Sequence, residues 1–457
     1  MELKGKRVLV YGTGKSGIGA ADLLAEKGAV PVLFDEKKAD EAAVRSKMKA
    51  PDRAEYLLGA DLLTDEVISG IDLAVMSPGV PLDIPNVGKF RAAGVPVIGE
   101  VELAYIAGKG TVYAITGTNG KTTTTSLLGK IMSDYDPDTF VVGNIGTAWT
   151  TVAAETDEAS RIVAEISSFQ LETTESFHAH VSAILNITED HLNRHHTMEE
   201  YTRVKELVTL HQDQNDYCIL NYEDERLRDF GESIKERTNV VWFSSRRPVK
   251  GGMWYENGAI WSDLQEIGKL IDVKEAKIIG LHNYENIMAA AAMAVCAGIP
   301  VENIRASIRA FTAVPHRIEF VREVRGVIYY NDSKGTNPDA AIKGIEAMER
   351  PTLLIGGGYD KGSDYRPWIM AFGGKVKYLV LEGATREAIR EAALSCGFPE
   401  DRIVMRETME EAMTFCIENA EPGDAVLLSP ACASWGEFDN YECRGEAFKA
   451  RVAGIAD

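Results

Sequence analysis

Tyr113-Ala114-Ile115-Thr116-Gly117-Thr118-Asn119-Gly120-Lys121-Thr122-Thr123 is the stretch from which the rest of the chain is read. An apolar strand runs into a glycine-bearing loop, and a helix-compatible run, Thr124 to Met132, follows. Loop N–H groups and a helix N-terminus together make an anion cradle. In such a cradle Lys121 reaches terminal phosphates and the Thr122 hydroxyl holds Mg²⁺. The longer phosphate-loop pattern has a glycine five residues before Gly120, where Ile115 stands, so this is a shortened form. The plain alternative is a glycine turn between strand and helix, but Gly-Lys-Thr at that junction is a specific combination.

Around this loop lie 457 residues, enough for about three domains. A formal net charge of -20 argues against nucleic acid or an anionic membrane as partner. The longest apolar run, Met288 to Gly298, is too short to span a bilayer. The N-terminus enters a strand without a signal-peptide core, and the six cysteines form no CxxC pair. Free thiols in the cytoplasm are expected.

The expected fold is α/β in three domains: a Rossmann-like domain over 1–99, a central phosphate-loop domain over 100–313, and a second Rossmann-like domain over 314–457. The first opens with a strand at Lys6 to Tyr11, the turn Gly12-Thr13-Gly14-Lys15-Ser16-Gly17, a helix, and a strand ending at Asp35. That fingerprint alone predicts NAD, yet the same turn holds any diphosphate. A third strand, Leu73 to Met76, leads to Ser77-Pro78-Gly79. In the central domain, Gly143-Asn144-Ile145-Gly146, Glu165 and His191 each follow a strand end, and alternating strands and helices bring such ends to one edge.

Glu165 suits Mg²⁺, which prefers oxygen ligands; His191 is a less usual ligand or a hydrogen-bonded loop histidine. His178 and His180 read as structural, His195 and His196 as solvated loop residues. Lys205 is either an exposed lysine in a salt bridge or an amine that takes up CO₂ as a carbamate. Asn283 and Asn286 read as helix caps or as ligands. Arg317 could bind phosphate and Asp332 a ribose hydroxyl.

Gly-Thr-Asn-Gly-Lys-Thr-Thr, Gly-Asn-Ile-Gly, Glu-Ile-Ser-Ser-Phe-Gln-Leu-Glu, Asn-Ile-Thr-Glu-Asp-His-Leu, His-Asn-x-x-Asn and Pro-His-Arg occur in this order. The chain resembles the Mur ligase family along its whole length. Asn-Asp-Ser-Lys-Gly-Thr-Asn (331–337) and Leu-Ser-Pro-Ala-Cys-Ala-Ser (428–434) look like those of the members that add D-glutamate, and the Asp-Asn-Pro-Arg signature of those adding diaminopimelate or lysine is missing.

The resemblance implies ATP-dependent ligation of D-glutamate to UDP-N-acetylmuramoyl-L-alanine through an acyl phosphate, by a cytoplasmic monomer in peptidoglycan precursor synthesis. It implies Lys121, Glu165, His191 and Lys205 as catalytic residues. ATP falls to Gly117, Thr118, Asn119, Gly120, Lys121, Thr122, Thr123, Asn286, Arg317 and Asp332. Two Mg²⁺ sites draw on Thr122, Glu165, His191 and carbamylated Lys205. The UDP-substrate falls to Gly14, Lys15, Ser16, Gly17, Asp35, Ser77, Pro78, Gly79, Asn144 and Gln170, and D-glutamate to Thr336, Lys361, Ser434 and Tyr441. Tyr441 stands where the family has phenylalanine, and Glu36-Lys37 where it has Thr-Arg. Two other readings are another amino-acid ligase of the superfamily, such as a folylpolyglutamate synthase, and an NAD-dependent oxidoreductase.

Overall fold

A computed structural model describes residues 2–312, 314–359 and 362–456. Their strands form three sheets. The first runs β3-β2-β1-β4-β5, with β1 Arg7–Tyr11, β2 Val30–Asp35, β3 Glu55–Leu58, β4 Leu73–Met76 and β5 Val97–Gly99, all parallel. The order reverses between β1 and β4, which opens a crevice at their C-terminal ends. The two turns that the resemblance gives to the UDP-substrate, within Gly12 to Gly17 and at Ser77 to Gly79, follow those two strands. β3 is an edge strand that the sequence pattern did not announce. Its residues are only partly buried, so the alternation that marks a strand is weak.

The second sheet has nine strands in the order β14-β13-β12-β11-β10-β9-β6-β8-β7. These are β6 Thr111–Thr116, β7 Thr139–Gly143, β8 Arg161–Glu165, β9 Val181–Ile184, β10 Tyr217–Asn221, β11 Asn239–Ser244, β12 Gly252–Glu256, β13 Ala259–Ser262 and β14 Gly268–Asp272. β6 sits at the reversal point, between β9 and β8, and its loop carries the Gly117 to Thr123 stretch. Val112, Ala114 and Ile115 on β6 are fully or nearly fully buried, as a strand covered on both faces requires.

The third sheet runs β15-β16-β20-β17-β18-β19, with β15 Glu319–Val324, β16 Val327–Asn331, β17 Thr352–Gly357, β18 Val376–Glu382, β19 Ile403–Met405 and β20 Ala425–Leu428. Only the β15–β16 pair is antiparallel; its other pairs are parallel.

Contacts divide the chain into two compact units, Met1–Ile271 with Glu285–Ser307, and Asp272–Tyr284 with Ile308–Asp457. The first unit holds the first two sheets on a shared apolar core, in which Ala20, Ala21 and Leu24 cluster with Trp149 and Ala153. The helix Lys15–Glu26 comes so close to the 3-10 turn Trp149–Thr151 that a Cβ on Gly19 would lie 2.7 Å from Thr150 Oγ1. The six cysteines are unpaired: Cys218, Cys416 and Cys432 are buried, Cys296 and Cys396 half-buried, and Cys443 exposed. Among the described residues no helix is long and apolar enough to cross a membrane.

Candidate active site

The loop after β6 is shaped by two left-handed glycines, Gly117 at φ 143° and Gly120 at φ 84°. Asn186 braces it, its side chain accepting from the Asn119 amide at 2.8 Å and its carbonyl from the Thr118 amide at 2.9 Å. The helix Lys121–Tyr135 starts directly after Gly120 with no side-chain cap. The amides of its first turn are those an α-helix leaves without internal partners, which suits an anion. Lys121 curls back over the loop, its Nζ donating to the carbonyls of Gly117 and Thr118 at 2.8 Å each. Asn286 is no helix cap: it lies inside the helix Leu281–Cys296 and accepts from Thr124 Oγ1 at 3.2 Å. A Cβ on Gly120 would stand 2.3 Å from Asn286 Oδ1. Gly120→Ala is therefore both strained at its φ and in collision. We expect it to weaken binding of a fluorescent ATP analogue at least about tenfold and to cost roughly 1–2 kcal/mol of stability in a denaturant titration.

Lys205 overturns the exposed-lysine expectation. It is 1% exposed on the helix Met198–Glu206. Its Nζ donates to the Gly117 carbonyl at 2.9 Å and lies 4.6 Å from the Tyr201 ring centroid. Burial, reinforced by the Lys121 charge and opposed by Asp190, pulls its pKa down to about 7. Tyr201, a residue the sequence reading did not assign to the site, meets Thr118 Oγ1 through its hydroxyl at 3.1 Å. Its four-residue spacing before Lys205 was the available signal.

Glu165 ends β8 and is buried. One carboxylate oxygen accepts from Asn144 Nδ2 at 2.8 Å; the other is buried with no hydrogen-bond partner. Such an oxygen is costly unless something else comes to it. His191 takes a left-handed conformation, half exposed, with Nε2 3.4 Å from Asp190 Oδ2 and its ring against Phe169. Among the described residues no three His, Cys, Asp or Glu side chains form a ready-made metal cage. The orphaned Glu165 oxygen and the Thr122 hydroxyl fit Mg²⁺, which takes few protein ligands and fills its shell with phosphates and water.

His195 is a correction. Instead of being solvated it is 2% exposed, stacked on Phe169 and bonded through Nε2 to Ser168 Oγ at 2.9 Å. His178 and His180 are structural as expected, both paired to the buried Asp216. His196 is exposed.

On the first sheet, Asp35 accepts from the Thr13 amide and hydroxyl and from the Lys37 amide, fixing the turn. Gly17 is obligatory, since a Cβ there would lie 1.9 Å from the Gly12 carbonyl oxygen. Lys15 Nζ donates to the Gly146 carbonyl at 2.5 Å, so this turn meets the Gly143 to Gly146 loop. Ser77 Oγ is buried without a partner. Gln170 Nε2 donates to Glu100 Oε1 at 2.7 Å, while its Oε1 accepts from Ser167. Gly14, Ser16, Pro78 and Gly79 lie in the same two turns.

In the second unit, Asp332 is buried just beyond β16 and accepts from Ser429 Oγ at 2.7 Å and the Ile318 amide at 3.3 Å. Burial pushes its carboxyl up to about 7. Arg317 is exposed. Tyr441 accepts from Ser333 Oγ through its carbonyl and from Lys334 Nζ through its hydroxyl at 2.6 Å. Thr336 follows in the same loop as Lys334, and Ser434 is buried after β20. Lys361 lies outside the described residues. Arg444, which the sequence reading passed over, is buried and ties the Ser333 and Cys432 carbonyls together.

A Gly-Lys-Thr loop at the reversal point of a mostly parallel sheet, in a chain that forms two further sheets, defines a phosphate-loop α/β protein of three-sheet design. Three family models match in order: the Mur ligase MurD-like N-terminal domain over 6–99, the Mur ligase middle domain over 115–294, and the Mur ligase glutamate ligase domain over 316–432. The chain belongs to the Mur ligase family. It is 52% identical over 99% of both chains to a UDP-N-acetylmuramoylalanine--D-glutamate ligase of Lachnospira eligens. It is 50% identical over the full length of both to the protein of that name from Lachnoclostridium phytofermentans. Among solved structures, UDP-N-acetylmuramate-alanine ligase MurC of Thermotoga maritima shares the fold with a TM-score of 0.61 at 17% identity, covering 98% of this chain and 99% of that one. MurF of Acinetobacter baumannii does so at 0.57 and 17%, covering 99% and 91%.

Proposed function

We propose that this protein joins D-glutamate to UDP-N-acetylmuramoyl-L-alanine at the expense of ATP. The end-to-end identity with relatives of that name supports the substrates. The observation that carries the chemistry is the phosphate loop with Lys121 and buried Lys205 both bonded to the Gly117 carbonyl.

A carboxylate is a poor electrophile. In the reaction implied by the family its oxygen attacks the γ-phosphorus and ADP departs; the D-glutamate amine then attacks the acyl carbon and phosphate departs. Anions must approach one another, so the chain's own part is to supply positive charge and to exclude water. Lys121 and the first-turn amides hold the phosphates. Thr122, Glu165 and His191, with Lys205 as a carbamate, would hold magnesium at two sites. Magnesium, when bound, screens the phosphates and the acceptor carboxylate. The carbamate forms when the neutral Lys205 amine adds to CO₂ and releases a proton, a step that a pKa near 7 favours.

Asn144, Gln170, Asp35, and the turns Gly14 to Gly17 and Ser77 to Gly79 are proposed to bind the UDP-sugar. Thr336, Lys361, Ser434 and Tyr441 are proposed for D-glutamate. Asn286, Arg317 and Asp332 are proposed for the nucleotide, within domains bounded at 99 and 313, in a cytoplasmic monomer. Phosphate release from ATP is expected to require UDP-N-acetylmuramoyl-L-alanine and D-glutamate together. Release that needs neither UDP-N-acetylmuramoyl-L-alanine nor the amino acid, or equal rates with L-glutamate, would refute this assignment.

A further inference from the structure

Arg194 stands three residues beyond His191, in the short helix Leu192–His195. Its Nη2 donates to Glu172 Oε2 at 2.6 Å and to the Val80 carbonyl at 3.1 Å. Its guanidinium also lies 4.8 Å from the Phe169 ring centroid. Val80 closes the turn after β4, its amide donating back to the Ser77 carbonyl at 3.0 Å. Glu172 follows the helix Ser168–Leu171 beyond β8. One cation thus joins the His191 turn, the segment after Glu165, and the Ser77 to Val80 turn of the other sheet.

The guanidinium is held from behind. Glu172 Oε1 lies 3.2 Å from His195 Nδ1, off the line of a hydrogen bond, and the other imidazole nitrogen is bonded to Ser168. Burial, with the charges of Arg194, Lys205 and His191 adding and Glu200 opposing, keeps that imidazole neutral down to about pH 4. A guanidinium bonded to a part-buried carboxylate and a backbone carbonyl, with an aromatic ring against it, has little freedom to swing.

An ion pair that only stabilised the fold would need Glu172 alone. Here the same nitrogen also reaches a backbone carbonyl of the turn that bears Ser77. Arg194, Ser77, Pro78, Glu100 and Gln170 line one narrow crevice, too tight in this conformation to hold a water molecule. Two oxygens of its lining residues, Ser77 Oγ and Glu100 Oε2, are buried without hydrogen-bond partners. Buried polar groups are ordinarily paired, so these two oxygens mark the crevice as a place where a ligand's polar atoms could bind once it widens.

We infer that Arg194 is a positioning residue for the sugar-nucleotide substrate: it clamps the Ser77 to Val80 turn onto the Phe169 to Glu172 segment and so sets affinity for a nucleoside-diphosphate sugar without touching ATP. This rests on the reading that the Ser77 to Gly79 turn binds that substrate.

The test uses the full-length protein, with UDP-N-acetylmuramoyl-L-alanine binding followed by calorimetry and turnover by phosphate release. Arg194→Met keeps an apolar stem over Phe169 and removes both donors. Its Kd and KM for the UDP-sugar are expected to rise about tenfold, with kcat at saturation and KM for ATP within about twofold of wild type. Arg194→Lys should recover most of the loss. Glu172→Gln, which leaves Arg194 in place but loosens it, should raise the same KM about threefold and serves if Arg194→Met fails to fold. An unchanged Kd in both variants, or a parallel loss in every parameter without rescue by lysine, overturns the inference. A wild-type protein that does not bind the UDP-sugar overturns the underlying functional reading, and the inference with it.

Discussion

Lys121→Ala is expected to lower kcat by about a thousandfold while leaving the melting temperature within a few degrees of wild type. Losing one preorganised donor to developing charge costs about 10²–10³ in rate, and a full positive charge beside transferring phosphates belongs at the upper end. The Lys121 ammonium is held by the Gly117 and Thr118 carbonyls, which also braces the loop. Removing the side chain thus takes away both the charge and a brace. The fold loses little, because Asn186 still ties the loop to the segment after β9. Steady-state rates with saturating ATP, read beside a thermal melt, decide the matter; a kcat within tenfold of wild type would dismiss the phosphate-cradle role.

Lys205→Met should separate activity from stability in opposite directions. Its kcat is expected to fall at least about a hundredfold, and a short carboxylate such as formate should restore a measurable part of the rate. Stability should move the other way. The lysine's pKa drops from 10.5 to about 7 in the fold, chiefly through burial. A base with a depressed folded pKa burdens the fold fully below pH 7, where it is charged in both states. The burden fades as pH climbs from 7 to 10.5, because only the unfolded chain still binds the proton. In CO₂-free buffer at pH 6, methionine at this position should therefore gain about 2 kcal/mol over wild type, even after forfeiting the hydrogen bond to Gly117. By pH 10 most of that gain should vanish. Denaturant titrations at the two pH values measure it, and a variant less stable than wild type at pH 6 would rule out the depressed amine.

The phosphate loop was legible because its signal is local: two glycines, a lysine and a threonine between an apolar strand and a helix. That the strand ends of the central domain share one edge followed from alternating strands and helices; the order of the strands did not. What stayed hidden is what depends on residues far apart in the chain. Lys205 reads as a surface lysine until the helix Met198–Glu206 is laid against the Gly117 loop. His195 reads as a loop residue until Phe169 and Tyr201 close around it. Asn286 looks like a cap from its place near a helix start, yet its carbonyl oxygen faces Thr124, more than 160 positions away. Edge strands β3 and β19 escaped notice because they are short and only partly buried.

The uneven burial of the six thiols makes the protein ready for labelling as it stands. Cys443 opens to solvent two residues beyond Tyr441, near the start of the last helix, whereas Cys218, Cys416 and Cys432 are sealed inside. A maleimide fluorophore supplied in limiting amount would settle first at Cys443 and place a probe beside Tyr441 without any engineered cysteine.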